Sequence, residues 1–125
     1  MTANAVTSLS LATPLVLTCV AKGNQTHEHL SHSGFFSMNI LSADQKHISD
    51  RFAFKGPRDF SDLETTVAAT GAPILAGTLG WVDCRIKEVL AGGDHDIFLG
   101  EIVAGGCGSG QPLLYYGGGY GRMAD

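Results

Sequence analysis

Seventeen glycines in 125 residues, clustered at 92–93, 105–110 and 117–121, constrain the fold of this chain more than any other feature. Glycine weakens helix interiors and supplies the positive φ that tight turns need. With four prolines, the clusters predict many turns between short strands rather than long helices. The length suits one domain spanning 1–125. Hydrophobic residues make up 44% and charged residues 16%, which supplies a core and argues against wholesale disorder.

The formal charge of −4 and the scatter of the eight Lys and Arg residues exclude a nucleic-acid backbone as partner. Three cysteines, Cys19, Cys84 and Cys107, are an odd number with no C-x-x-C pair. That argues against a disulfide framework or zinc ribbon and for thiols in a reducing cytosol. The apolar stretch Leu15–Val20 lacks the basic flank of a signal peptide, and no apolar run is long enough to span a bilayer. The expected protein is soluble and cytoplasmic.

Strand formers at Val6–Leu11 are interrupted by Pro14, after which Leu15–Val20 reads as a buried strand. Asn24 or Thr26 caps a short helix through His27–Ser33, stopped by Gly34. Phe35–Leu41 returns to a strand. Ser42-Ala43-Asp44-Gln45 fits a capping box, in which the serine hydroxyl and the glutamine amide each satisfy a backbone N–H. The helix it opens places Ile48 and Phe52 on one face. Residues 55–72 read as loop with one helical turn, and strands follow at about 74–90, 96–104 and 112–116. Such a pattern implies an antiparallel barrel with helices packed outside.

The segment His27-Glu28-His29-Leu30-Ser31-His32 has histidines five apart where a zincin needs four. It predicts solvent-facing histidines and no metal. Gly105–Gly110 leads to Pro112 and a strand, whereas a dinucleotide fingerprint needs a helix N-terminus to meet the pyrophosphate. It reads as turn glycine, as does Gly117–Gly119. No serine or cysteine stands in an activating context. In Asp94-His95-Asp96 flanking acids favour the protonated imidazole, but by itself the triplet reads as a solvated turn.

Taken in order, these pieces resemble a known family. Met1–Leu11 with Pro14-Leu15-Val16 is similar to the opening strand pair of the flavin reductase-like, FMN-binding split-barrel family, which includes reductase components of two-component flavin monooxygenases. Gly34–Leu41 with Gln45 and Arg51-Phe52-Ala53, then Gly71–Leu75 and Asp83-Cys84-Arg85, resemble its middle. Gly93–Ile102 and Pro112–Tyr116 resemble its close. The fold implied is mainly β, an antiparallel split barrel with short flanking helices.

The resemblance implies that Thr2, Ala3 and Asn4 cradle the isoalloxazine ring, their amides matching its carbonyl and N–H edge. Ser8 and Ser10 would face the ribityl chain or phosphate. Lys22 and Thr26 would gather the phosphate at a helix start. Arg51 and Phe52 would lie near the flavin or the pocket wall, His95 on the nicotinamide side, and Tyr120 over the flavin. No side chain is expected to act as nucleophile or metal ligand. The chemistry implied is hydride transfer from NADH or NADPH to FMN or FAD, with reduced flavin passing to a partner monooxygenase and a homodimer as the assembly. A non-catalytic flavin-binding protein or electron carrier of the same fold, or an inactive fragment, is the alternative.

The sequence departs from the family pattern at two places. Members carry a helix and a strand or two before the T-A-N segment, and here Met1 stands just ahead of it, so an N-terminally incomplete domain is expected. Gly117-Gly118-Gly119 stands where the family often has basic residues, which puts nucleotide-phosphate contacts there in doubt.

Overall fold

A computed structural model describes residues 1–53 and 59–124. Five strands form one antiparallel sheet: β1 (Val6–Ser10), β2 (Leu15–Ala21), β3 (Phe35–Ile40), β6 (Gly80–Gly92) and β7 (His95–Cys107), in spatial order β1-β2-β7-β6-β3. Two small ribbons accompany it, β4 (Thr65–Thr66) with β5 (Ile74–Leu75) and β8 (Leu114–Tyr116) with β9 (Gly119–Gly121). Helices α1 (Gln25–Ser33) and α2 (Lys46–Ala53) complete the elements. The protein is mainly β and antiparallel, as expected.

The long β6–β7 hairpin departs from the expected short strands. Each strand runs 13 residues, and Gly105 and Gly106 sit inside β7, paired with Val82 and Trp81, rather than in a turn. The expected 74–90 strand is two pieces, because residues 76–79 leave the ladder between β5 and β6. Register shifts between Asp83/Cys84 and Ile86/Glu88 add the extra twist that bulges bring.

Alternation along β3 divides the packing between the two faces of the sheet. Phe36 and Met38 join Val20, Leu30, Cys84 and Phe98 in the main core, with α1 contributing Leu30. Val20, Cys84 and Phe98 are fully buried, and burying a side chain of this kind stabilises by about 1.5–3 kcal/mol. Ser37 and Asn39 face the other way and hold the chain entering β5. Both donate to the Pro73 carbonyl, at 2.6 and 3.3 Å, and the Leu75 N–H donates to Asn39 Oδ1 at 2.9 Å. A second core of Ile48, Phe52 and Leu75 seats α2, using the two positions that the periodicity assigned to one face.

Helix α1 is bounded as its sequence dictates. Asn24 Oδ1 accepts from the His27 N–H at 3.1 Å, and Gly34 takes φ 77° while donating to the Leu30 carbonyl. The capping box before α2 forms only by half. Gln45 Oε1 accepts from the Ser42 N–H at 3.0 Å, whereas the Ser42 hydroxyl turns to Asp44 Oδ1 and the Gly77 carbonyl, at 2.7 and 3.1 Å. The helix starts later than the box predicts, at Lys46. Of the expected 55–72 loop, residues 55–58 lie outside the described residues; a turn closes from Phe60 to Leu63, and β4 follows. No helix among the described residues is long and apolar enough to cross a membrane.

Candidate functional site

The N-terminal segment bridges the sheet and α2. The Ala5 carbonyl accepts from the Cys19 N–H at 3.0 Å, extending the β1–β2 ladder. Thr2 instead reaches α2, its N–H donating to the Phe52 carbonyl at 3.1 Å and its hydroxyl donating to the Ser49 carbonyl. The Phe52 carbonyl belongs to the last turn of the helix, which leaves acceptors free, and the Ser49 carbonyl lies one turn earlier. Between the two anchors, Ala3 and Asn4 are exposed and make no hydrogen bond among the described residues.

Tyr120 comes to the same helix from the C-terminal ribbon. Gly117 and Gly118, at φ 59° and 81°, form the two-residue turn between β8 and β9, whose geometry requires positive φ twice. The turn presents the Tyr120 hydroxyl 2.7 Å from Ser49 Oγ. Lys46 Nζ lies 5.1 Å from the Tyr120 ring centroid, and the Tyr115 ring meets it edge-on at 5.2 Å. Lys46 also pairs with Asp50 at 2.9 Å, a bond that holds the Asp50 carboxyl below its usual range.

Arg51 and Phe52 also lie on α2, but their side chains have other partners. The Arg51 guanidinium makes a two-pronged contact with Asp62, Nη2 to Oδ2 at 2.8 Å, and that pairing lowers the Asp62 pKa. The Phe52 ring is buried in the second core and stacks, tilted, on Phe60 at 4.8 Å.

A second group gathers where β2 ends and β7 begins. The Lys22 N–H donates to the Asp94 carbonyl at 2.9 Å, and Ala21 is opposite His95. This register brings Lys22, Thr26 in the first turn of α1 and His95 to one end of the sheet. Asp96 stands between two basic side chains: Oδ1 lies 3.9 Å from Lys22 Nζ, and Oδ2 lies 2.7 Å from His27 Nε2. His27 is therefore not a solvent-facing histidine; it is half-buried, with its ring edge-on to Phe98 at 5.2 Å. The triplet is also split. Asp94 serves His95 Nδ1 at 2.7 Å, which lowers the Asp94 pKa, while Asp96 serves His27.

Ser8 and Ser10 lie on edge strand β1, opposite Val16 and Leu15 across a register shift, and neither hydroxyl has a partner among the described residues. The structure thus joins Thr2 and Tyr120 at α2, and Lys22, Thr26 and His95 at the β6–β7 hairpin end. It adds Ser49, His27 and Asp96, which the sequence reading did not assign. No sequence signal identified Ser49, while His27 and Asp96 are 69 positions apart.

A family model described as "Flavin reductase like domain" matches residues 1–124. FMN reductase (NADH) SmoA from Agrobacterium fabrum is 39% identical over 124 residues, 99% of this chain and 71% of that protein. The reductase component of 4-nitrophenol 4-monooxygenase/4-nitrocatechol 2-monooxygenase from Rhodococcus opacus is 38% identical over 122 residues, 98% of this chain and 65% of that protein. Both relatives extend beyond the stretch they share with this chain. The NADH:FAD oxidoreductase SgcE6 from Streptomyces globisporus superposes with a TM-score of 0.93 at 35% identity, over 98% of this chain and 76% of its own. That protein has also been solved in complex with NAD and FAD fragments, matching with a TM-score of 0.92 at 35% identity, over 98% of this chain and 75% of its own.

Proposed function

The chain belongs to the flavin reductase like family, and from that premise we propose that it is an NAD(P)H:flavin oxidoreductase supplying reduced FMN or FAD to a partner monooxygenase. The observation that carries this reading is the bridge at Ala3–Asn4. Two backbone N–H groups and a side-chain amide are held between anchored ends with no protein partner among the described residues. Such a donor set fits the carbonyl and N–H edge of a flavin. Lys22 and the Gln25 and Thr26 N–H groups at the start of α1 fit its phosphate, and the Ser8 and Ser10 hydroxyls fit its ribityl chain.

Bound flavin supplies the hydride acceptor, and the chain supplies orientation. Thr2 fixes the cradle against α2. Tyr120 covers the cradle from the C-terminal ribbon, and His95 lines the nicotinamide side from the hairpin end. Phe52 contributes its carbonyl to Thr2 and its ring to the core. Arg51 acts at the wall of the pocket, where Asp62 holds it. No nucleophile or metal is assigned.

Residues 1–125 are read as one flavin reductase-like domain of split-barrel type, and a homodimer is proposed as its assembly. Supporting a second copy are apolar side chains left exposed on β1, at Val6 and Leu9, and toward the end of β6, at Val89 and Leu90. The cytoplasm is proposed as its compartment, where thiols such as Cys107 stay reduced.

The test is anaerobic mixing of flavin-loaded protein with NADH or NADPH in the presence of excess free flavin. Bleaching of many flavin equivalents per protein is expected. Stoichiometric flavin binding without turnover would replace the enzyme by a flavin carrier of the same fold.

A further inference from the structure

We propose that Ser49 is a positioning residue of the flavin site, joining the Thr2 cradle to the C-terminal ribbon that carries Tyr120. The proposal rests on the functional reading above and deepens it. Ser49 lies in the middle of α2 and is only 4% exposed. A buried serine within a helix ordinarily bonds back to the carbonyl four residues earlier. Here its hydroxyl has instead the Tyr120 hydroxyl as partner, at 2.7 Å. Its carbonyl is also engaged, accepting from the Thr2 hydroxyl. One residue therefore binds two chain segments more than a hundred positions apart in sequence, and both carry assigned flavin contacts.

The neighbouring groups make this link specific. The Thr2 N–H is held by the Phe52 carbonyl at 3.1 Å, so the cradle has two attachments one helical turn apart. The Tyr120 ring has Lys46 at 5.1 Å and Tyr115 at 5.2 Å. These contacts keep the ribbon near α2; the phenol itself is oriented by its 2.7 Å bond to Ser49 Oγ, with the Asp50 carboxyl as a second hydrogen-bonding neighbour. Alanine at position 49 suits a helix better than serine, so its loss of the hydroxyl leaves the helix intact while removing the tie between Tyr120 and Ser49. Tyr120→Phe removes the same bond from the other side and keeps the ring.

The experiment measures flavin affinity by fluorescence quenching, and KM for NADH and kcat by steady-state rates, in the wild type, Ser49→Ala, Tyr120→Phe and the double variant. One hydrogen bond of ordinary strength predicts an affinity for FMN about fivefold weaker in each single variant. The double variant should be no weaker than either single. KM for NADH should rise with kcat at saturation within about twofold, the signature of lost positioning rather than lost chemistry. Hydrogen exchange should speed up at residues 114–121 in both single variants.

Additive losses in the double variant, or affinities equal to wild type in both single variants, would overturn the link while leaving the reductase assignment intact. Wild-type protein that binds no flavin would overturn the assignment itself and this proposal with it.

Discussion

Thr70 is tied to Asp83 twice: its N–H donates to Asp83 Oδ2 at 2.8 Å, and its hydroxyl donates to Oδ1. The Ala69 N–H adds a third donor to Oδ2 at 2.9 Å. Asp83 is fully buried in β6, on the face that Ser37 and Asn39 share, so these side chains pin residues 69–75 against the sheet. Removing this acceptor strands its three donors, and a buried polar group left without a partner costs about 1–3 kcal/mol. Asp83→Ala should therefore lower the stability measured by urea unfolding by about 2–4 kcal/mol. Asp83→Asn, which keeps the shape but turns an N–H toward donors, should fall between it and the wild type.

At the other end of the sheet, the proposed phosphate site can be tested apart from the ring site. Lys22 is exposed, and its nearest anion, Asp96, stands at 3.9 Å and is itself engaged by His27. The ammonium thus remains open to a second anion. Lys22→Gln should weaken FMN binding by about five- to thirtyfold, the range that one solvent-screened charge contact of about 1–2 kcal/mol implies. Riboflavin, which lacks the phosphate, should bind both proteins equally. A parallel loss for riboflavin would place Lys22 outside the phosphate contact.

How much of this could be read from the sequence follows from the range of each interaction. Local signals succeeded: Asn24 and Gly34 bound α1, and the spacing of Ile48 and Phe52 set the buried face of α2, because caps and helical faces are decided within a few residues. The glycine run at 105–110 misled, because Gly105 and Gly106 serve close packing under Trp81 in a long strand, and the turn reading of a Gly-Gly pair is only a local average. Arg51 was assigned to the flavin from resemblance alone, and its pairing with Asp62 depends on a chain path that composition does not record. Ser49, His27 and Asp96 escaped for the same reason. Each acquires its role from a partner between 47 and 71 positions away, and the bland local context of Ser49 is that of any helix serine.

Gly100 shows how tightly the main core is closed. A Cβ there would stand 2.5 Å from Phe36 Cζ and 2.9 Å from Cys84 Cβ, well inside contact distance, and Cys84 has no solvent side to yield toward. Gly100→Ala should destabilise by about 1–3 kcal/mol, the usual cost of overpacking. The change should be read as a lower urea midpoint at an unchanged slope. A variant as stable as the wild type would mean that Phe36 has a second rotamer within reach.

Cys84 and Cys107 make an internal control for burial. Cys107 ends β7 and is exposed, whereas Cys84 is fully enclosed, and desolvation together with the neighbouring Asp83 charge pushes its thiol up to about 12. Only the thiolate reacts. At pH 8 a thiol reagent should therefore modify Cys107 rapidly and reach Cys84 only after unfolding. The same shift sets a pH dependence. Because the folded-state pKa lies above the value of 9.0 taken for a free thiol, the unfolded chain loses this proton first. The stabilisation is complete below pH 9 and is lost as pH rises from there toward 12. Other groups titrate in that window, so the difference between wild type and Cys84→Ala isolates the thiol. The alanine variant should lose about 1–2 kcal/mol at pH 7 to the small cavity it leaves, and its deficit should narrow between pH 9 and 11. A deficit that stays constant across that range would show that the Cys84 thiolate is solvated in the folded protein.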